Sequence, residues 1–149
     1  MKKGFISLMI FVVVGAAIYL CIGLFSNNPP KPIITAQGKK IESAQGSYCW
    51  GGALRYSCVD MISPPELINF EKLKPVAVSP ESQVKIEFKK EPIEKSLTVN
   101  RWVSNEEAES VSMSGNVLIA PEEKGVYVYD VSASWERGSA GYAFVIEVR

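Results

Sequence analysis

Near the carboxy terminus, two long runs of side chains alternate in polarity. Tyr127, Tyr129, Val131, Ala133 and Trp135 occupy every second position, opposite Asp130, Ser132 and Ser134. After Arg137-Gly138-Ser139-Ala140-Gly141, the run Tyr142, Phe144, Ile146 and Val148 stands opposite Ala143, Val145, Glu147 and Arg149. A period of two places each apolar set on one face of an extended strand, and the glycine-containing segment between them predicts a long terminal hairpin. Upstream, Val84, Ile86 and Phe88 alternate with Lys85, Glu87 and Lys89; Leu97 to Val103, Val111 with Met113, and Val117 to Ile119 supply further strand runs. Several strands without a helical stripe predict an all-β, antiparallel sandwich in which two sheets bury each other's apolar faces.

A local motif narrows that class. Glu123-Lys124-Gly125-Val126-Tyr127-Val128-Tyr129 resembles the acidic-x-Gly-x-Tyr-x-Cys signature of strand F in immunoglobulin-like domains. The resemblance implies that Tyr127 is a structural tyrosine corner, its hydroxyl closing the turn before its strand. Tyr129 stands where antibody domains carry a cysteine, and Trp102 takes the part of the buried strand-C tryptophan. The intersheet disulfide is missing, so the likeness concerns architecture over about Pro75 to Arg149.

The opposite end obeys a different solvent. Gly4 to Phe25 contains no charged residue and follows Met1-Lys2-Lys3. Its 22 residues would reach about 33 Å as a helix, enough for a hydrocarbon core of about 30 Å. The two lysines ahead of it predict a cytoplasmic amino terminus and an extracytoplasmic remainder. This gives one transmembrane helix as a signal-anchor over residues 1–25, a proline-rich spacer over 26–32, and a β-sandwich domain over 33–149. Within the last, a cysteine-bearing section, 33–70, precedes the immunoglobulin-like section, 75–149. The expected partner of residues 4–25 is the lipid bilayer. A cleaved signal peptide is the alternative, with Gly15-Ala16-Ala17 as the small-x-small site, but cleavage there would expose Ile18-Tyr19-Leu20-Cys21-Ile22. Leu20 before Cys21 departs from the lipoprotein pattern.

Export makes Cys49 and Cys58 a predicted disulfide, since they are the only cysteines beyond the apolar run and the compartment is oxidising. Ahead of them, residues 32–36 and 39–43 can pair as a hairpin across Gln37-Gly38. Ser63-Pro64-Pro65-Glu66 begins a helical turn, with prolines at its entry and Ser63 as its cap. The segment GKKIESAQGSYCW and the terminal YVYDVSASWERGSAGYAFVIEV are similar to a group of small bacterial proteins that are exported or membrane-anchored; that resemblance brings no activity with it.

The chemistry-bearing residues are sparse. The chain has 16 basic and 16 acidic residues, and setting aside Lys2 and Lys3 leaves the remainder at a net charge of −2 with no block of one sign. Nucleic acid is therefore not an expected partner. With no histidine, the commonest metal ligand and neutral-pH base are both missing, so no metal, cofactor or serine–histidine catalysis is expected. Asp60, Glu66 and Glu71 lack the spacing of a hydrolase pair, which leaves an envelope hydrolase as the weakest reading. Tyr48, Trp50, Arg55 and Tyr56 around the stapled loop are the candidate partner-binding residues, being of the types favoured at interfaces. Their competing reading is structural, with Trp50 packed over the disulfide. The function that follows is a membrane-anchored extracytoplasmic binding or structural module engaging an envelope protein. Its alternative is a secreted inhibitor or small-ligand carrier released by signal cleavage.

Overall fold

The computed structural model describes residues 9–17, 28–52 and 56–149. In chain order its strands and helix are β1 (Pro32–Ala36), β2 (Lys39–Ile41), β3 (Ser43–Gly51), β4 (Tyr56–Val59), α1 (Pro64–Phe70), β5 (Val76–Val78), β6 (Gln83–Phe88), β7 (Thr98–Trp102), β8 (Ala108–Val111), β9 (Val117–Ile119), β10 (Gly125–Trp135) and β11 (Gly138–Val148). They form two largely antiparallel sheets, as the alternation predicts. One has the order β2-β1-β6-β9; the other runs β4-β3-β11-β10-β7-β8, with β5 added in parallel to the end of β11. The section over 33–70 contributes strands to both sheets, so it shares the core of the section that follows it.

Hydrophobic burial between the sheets organises the fold. Ile34, Ile86 and Leu118 project from the smaller sheet against Val131, Tyr142 and Phe144 of the larger one, all almost completely removed from water. Each such side chain is worth about 1.5–3 kcal/mol relative to exposure. Gln37 and Gly38 both have positive φ, 50° and 75°, which is the twist that a two-residue hairpin requires, and Ala36 pairs with Lys39 as expected. The terminal hairpin is tighter than its glycines suggest. Trp135 pairs directly with Gly138, so Glu136 and Arg137 alone make the turn and residues 138–141 belong to β11.

Two features of the larger sheet were hidden in the sequence. First, its outer face is partly covered: Leu67 and Ile68 of α1 pack on Ala44, Ala143 and Val145. This is why Ala143 and Val145, on the face opposite the sandwich core, are also buried. Ser63 occupies the N-cap of α1, but its hydroxyl donates to the Glu66 carboxylate at 2.9 Å and makes no bond to a helix N–H. Second, β3 carries a bulge, with the register against β11 shifting between Ala140 and Tyr142 so that Gly46 and Ser47 stand opposite Gly141. One extra residue reverses the side-chain parity of a strand. Before the bulge Ala44 faces α1; beyond it Tyr48 and Trp50 face the sandwich core.

The spacer is shorter than expected. Pro29 and Pro32 are buried, and the Tyr142 hydroxyl donates to the Pro30 carbonyl at 2.8 Å, so the chain is docked on the domain from Pro29 onward. Residues 9–17 are helical and every one is exposed, Phe11 by 75%. Among the described residues no helix is long and apolar enough to cross a membrane. The rest of the expected span over residues 4–25 lies outside them.

Burial also fixes the alkaline limit of the fold. Loss of hydration pushes the hydroxyls of Tyr129 and Tyr142 up to about 12; for Tyr129, nearby Arg101 partly opposes this. A folded value above the unfolded one, about 10, means that the stabilisation is whole below pH 10 and is lost as pH rises through 12. Ultraviolet titration is therefore expected to show Tyr129 and Tyr142 ionising late, together with loss of near-ultraviolet circular dichroism. Tyr142→Phe should remove one late-ionising group; ionisation of Tyr129 and Tyr142 near pH 10 with the fold intact would contradict this assignment.

Candidate functional site

The predicted disulfide forms. Cys49 and Cys58 are joined as directly opposed residues of β3 and β4, their Cα atoms 4.0 Å apart. Closing a loop of about ten residues removes roughly 2.7 kcal/mol of unfolded-chain entropy. Trp50, for which a surface role and a structural one are both open in sequence, is only 4% exposed, which accords with the structural one. Its ring meets Trp135 edge-on at 5.7 Å, and the Arg137 guanidinium lies 5.7 Å above it. The bulge at Gly46-Ser47 is the cause, since it turns Trp50 inward. Tyr48 packs against the same core, Tyr56 is 65% exposed on β4, and Arg55 lies outside the described residues. Of the three described candidates, Tyr48 and Trp50 pack against the core and Tyr56 faces solvent. Tyr127 donates its hydroxyl to the Glu123 carbonyl at 2.9 Å, four residues upstream. Asp60, Glu66 and Glu71 are exposed.

A different site lies on the outer face of the larger sheet, beside α1. It is a groove of about 350 Å³ whose floor contains Gly46 and Gly141 at the bulge. A Cβ on Gly141 would come within 3.2 Å of the Ser132 hydroxyl, and one on Gly46 within 3.3 Å of the Gly141 carbonyl oxygen. The absence of side chains at both positions keeps this part of the floor low. Met61 and Ile62, exposed by 40% and 49%, form an apolar rim where the chain leaves β4 for α1. The backbone N–H of Met61 donates to the Ser47 hydroxyl at 2.9 Å and holds that rim to the bulge.

Within the groove, Asp130 gathers the donors. Asn100 of β7 is its directly paired neighbour on β10. The Trp102 indole N–H donates to Asp130 Oδ1 at 2.6 Å, the Asn100 amide to both carboxylate oxygens at 3.3 and 3.4 Å, and the Ser132 hydroxyl to Oδ2 at 3.5 Å. Trp102 is therefore a groove residue, in contrast to the buried strand-C tryptophan expected of it. Trp135, Tyr142 and Phe144 do belong to the core. Sequence reasoning placed Asp130 and Ser132 on the polar face of their strand, and assigned Asn100 no role. The available signal was parity: Val99 faces the core, so Asn100 and Trp102 must face the other way, beside whatever β10 presents there.

Among the described residues, no group of three or more His, Cys, Asp or Glu side chains is arranged to hold a metal ion. No family model, curated protein or solved structure matches the chain.

Proposed function

We propose that the chain is a membrane-anchored extracytoplasmic binding module of a bacterial cell envelope, displaying an immunoglobulin-like β-sandwich whose outer-sheet groove engages an envelope protein. The observation that carries this reading is the exposure of residues 9–17. They are helical and apolar, yet rest on no part of the sandwich, which closes its own core without them. A helix apolar all round and unshielded by protein is stable in lipid, where its backbone groups are satisfied internally. The disulfide fits the same side of the membrane. Docking of Pro29 and Pro30 keeps the domain near the bilayer.

The immunoglobulin-like reading draws support from strand order. β7-β10-β11 corresponds to C-F-G and β1-β6-β9 to A-B-E, while the Tyr127 hydroxyl closes the corner before β10. The β3–β4 hairpin and α1 are additions to that frame.

Alkaline extraction of membranes tests the anchor. The wild-type chain is expected to stay in the pellet with the apolar run at its mapped amino terminus, while a Val12→Lys/Val13→Lys double variant shifts to the supernatant. The cost of two lysines at mid-span is about 5–7 kcal/mol on insertion scales. Recovery of wild type from the medium with a mature terminus at Ile18 or later would replace this reading with the secreted carrier or inhibitor.

A further inference from the structure

Resting on the binding-module reading, we infer that the groove beside Asp130 takes a basic side chain, arginine ahead of lysine, from a partner polypeptide. The reason is an electrostatic account that the chain itself leaves open. Trp102, Asn100 and Ser132 all donate to Asp130, and all three are neutral groups. They satisfy its oxygens but bring no counter-charge. Asp130 takes part in none of the ion pairs among the described residues, which join Lys85 to Glu87, Lys95 to Glu94, Arg101 to Glu109 and Arg149 to Glu147. Arg101 is close in sequence to the groove, but it pairs in register with Tyr129, on the opposite face from Asp130, and is held by Glu109 at 2.7 Å. The groove thus carries one half-buried negative charge and, among the described residues, no cation to meet it.

The lining selects among cations. The Asn100 and Ser132 contacts to the carboxylate are long, 3.3 to 3.5 Å, so a guanidinium fork or an ammonium can take their place with shorter, charge-assisted bonds, and Trp102 provides an aromatic ring in the same groove. Met61 and Ile62 give the aliphatic stem an apolar wall. Because that rim is exposed and shares the groove with the carboxylate, apolar residues next to the basic one can gain burial on it, which a free amine would not. A folded partner or an extended segment presenting Arg between apolar residues therefore suits the site better than a small polyamine. An acidic or neutral segment would leave Asp130 desolvated and unpaired.

The full chain in detergent micelles, labelled with nitrogen-15, allows the idea to be tested through its indole N–H signals, one for each of the three tryptophans. The Trp102 signal is assigned by its loss in Trp102→Phe. Blocked Leu-Arg-Leu, its lysine counterpart and its uncharged citrulline counterpart are titrated separately, with spermidine as the small-amine arm. The arginine peptide is expected to move the Trp102 signal saturably and the citrulline peptide to leave it in place. Asp130→Asn should weaken the arginine peptide about tenfold or more while the Trp50 and Trp135 signals stay where they are, reporting an intact core. Equal shifts with arginine and citrulline, or no shift with arginine on wild type, overturn the inference without recourse to any variant. Spermidine binding as tightly as the peptide overturns the polypeptide occupant. A photoreactive residue at position 61 in native membranes separates the two levels of the argument. A crosslinked partner retained equally by Asp130→Asn overturns the basic side chain while the binding module stands, whereas no crosslinked protein at all overturns the module.

Discussion

Gly138→Ala is expected to cost about 4 kcal/mol of folding stability, a large part of the 5–15 kcal/mol available to a domain of this kind. Two effects add at this position. The backbone has φ of 139°, a region that side chains rarely adopt. A Cβ there would also overlap the Cys49 carbonyl oxygen and lie 3.0 Å from the Trp50 Cα. Neither neighbour is the flexible end of a side chain. Gly138 pairs with Trp50 on one side and with Trp135 on the other, so its strand cannot withdraw without disturbing both. The hairpin turn is clasped at the same place, where Arg137 Nε donates to the Gly51 carbonyl at 2.7 Å and the Gly51 N–H donates to the Arg137 carbonyl at 2.8 Å. Gly115→Ala is the matched control. Its φ of 62° is also positive, but open space surrounds the new methyl, so only the conformational cost of about 1–2 kcal/mol remains. Denaturant unfolding of the two variants measures the difference; equal losses would show that close approach at Gly138 contributes nothing.

What the sequence disclosed and what it hid divide along the range of the interactions. The Gln37-Gly38 turn, the alternation of β10 and β11 and the pairing of Cys49 with Cys58 are local or nearly local, and the residues that determine them are adjacent in the chain. The hydrogen bond from the Tyr127 hydroxyl to the Glu123 carbonyl likewise lies within one short stretch of chain. The groove is of another kind. It exists because Asn100 falls beside Asp130 and because Gly46-Ser47 bulges against Gly141, two registers set by pairing between distant segments. No periodicity within one strand reports either. α1 was legible as a helical turn, but the face it would cover was not, since Leu67 and Ile68 find their partners only after β11 and β3 are side by side. β5, three residues long, has too few positions to display a period. Trp102 was misassigned for a more tractable reason: Val99, three positions earlier on β7, already determined the opposite face.

Replacing Trp50 by alanine is expected to lower stability by about 3–5 kcal/mol, the range for deleting a large aromatic side chain from a core. The same change in a surface anchor would cost little in the free protein and much in a complex. At 4% exposure, edge-on to Trp135 and beneath Arg137, Trp50 belongs to the first case. Its indole N–H has no hydrogen-bond partner among the described residues, so the side chain contributes through packing. Trp50→Phe should for that reason recover much of the loss, retaining an aromatic edge for Trp135 without a buried donor. A double-mutant cycle with Trp135→Phe is expected to give a coupling of about 0.5–1.5 kcal/mol, the size of an edge-to-face aromatic pair. The functional consequence concerns the groove on the other face of the sheet. Corrected for the folded fraction, Trp50→Ala should leave arginine-peptide binding at Asp130 unchanged, because no part of Trp50 lines that groove. A Trp50→Ala protein with wild-type stability but no partner binding would return the stapled loop to the surface role that its residue types first suggested.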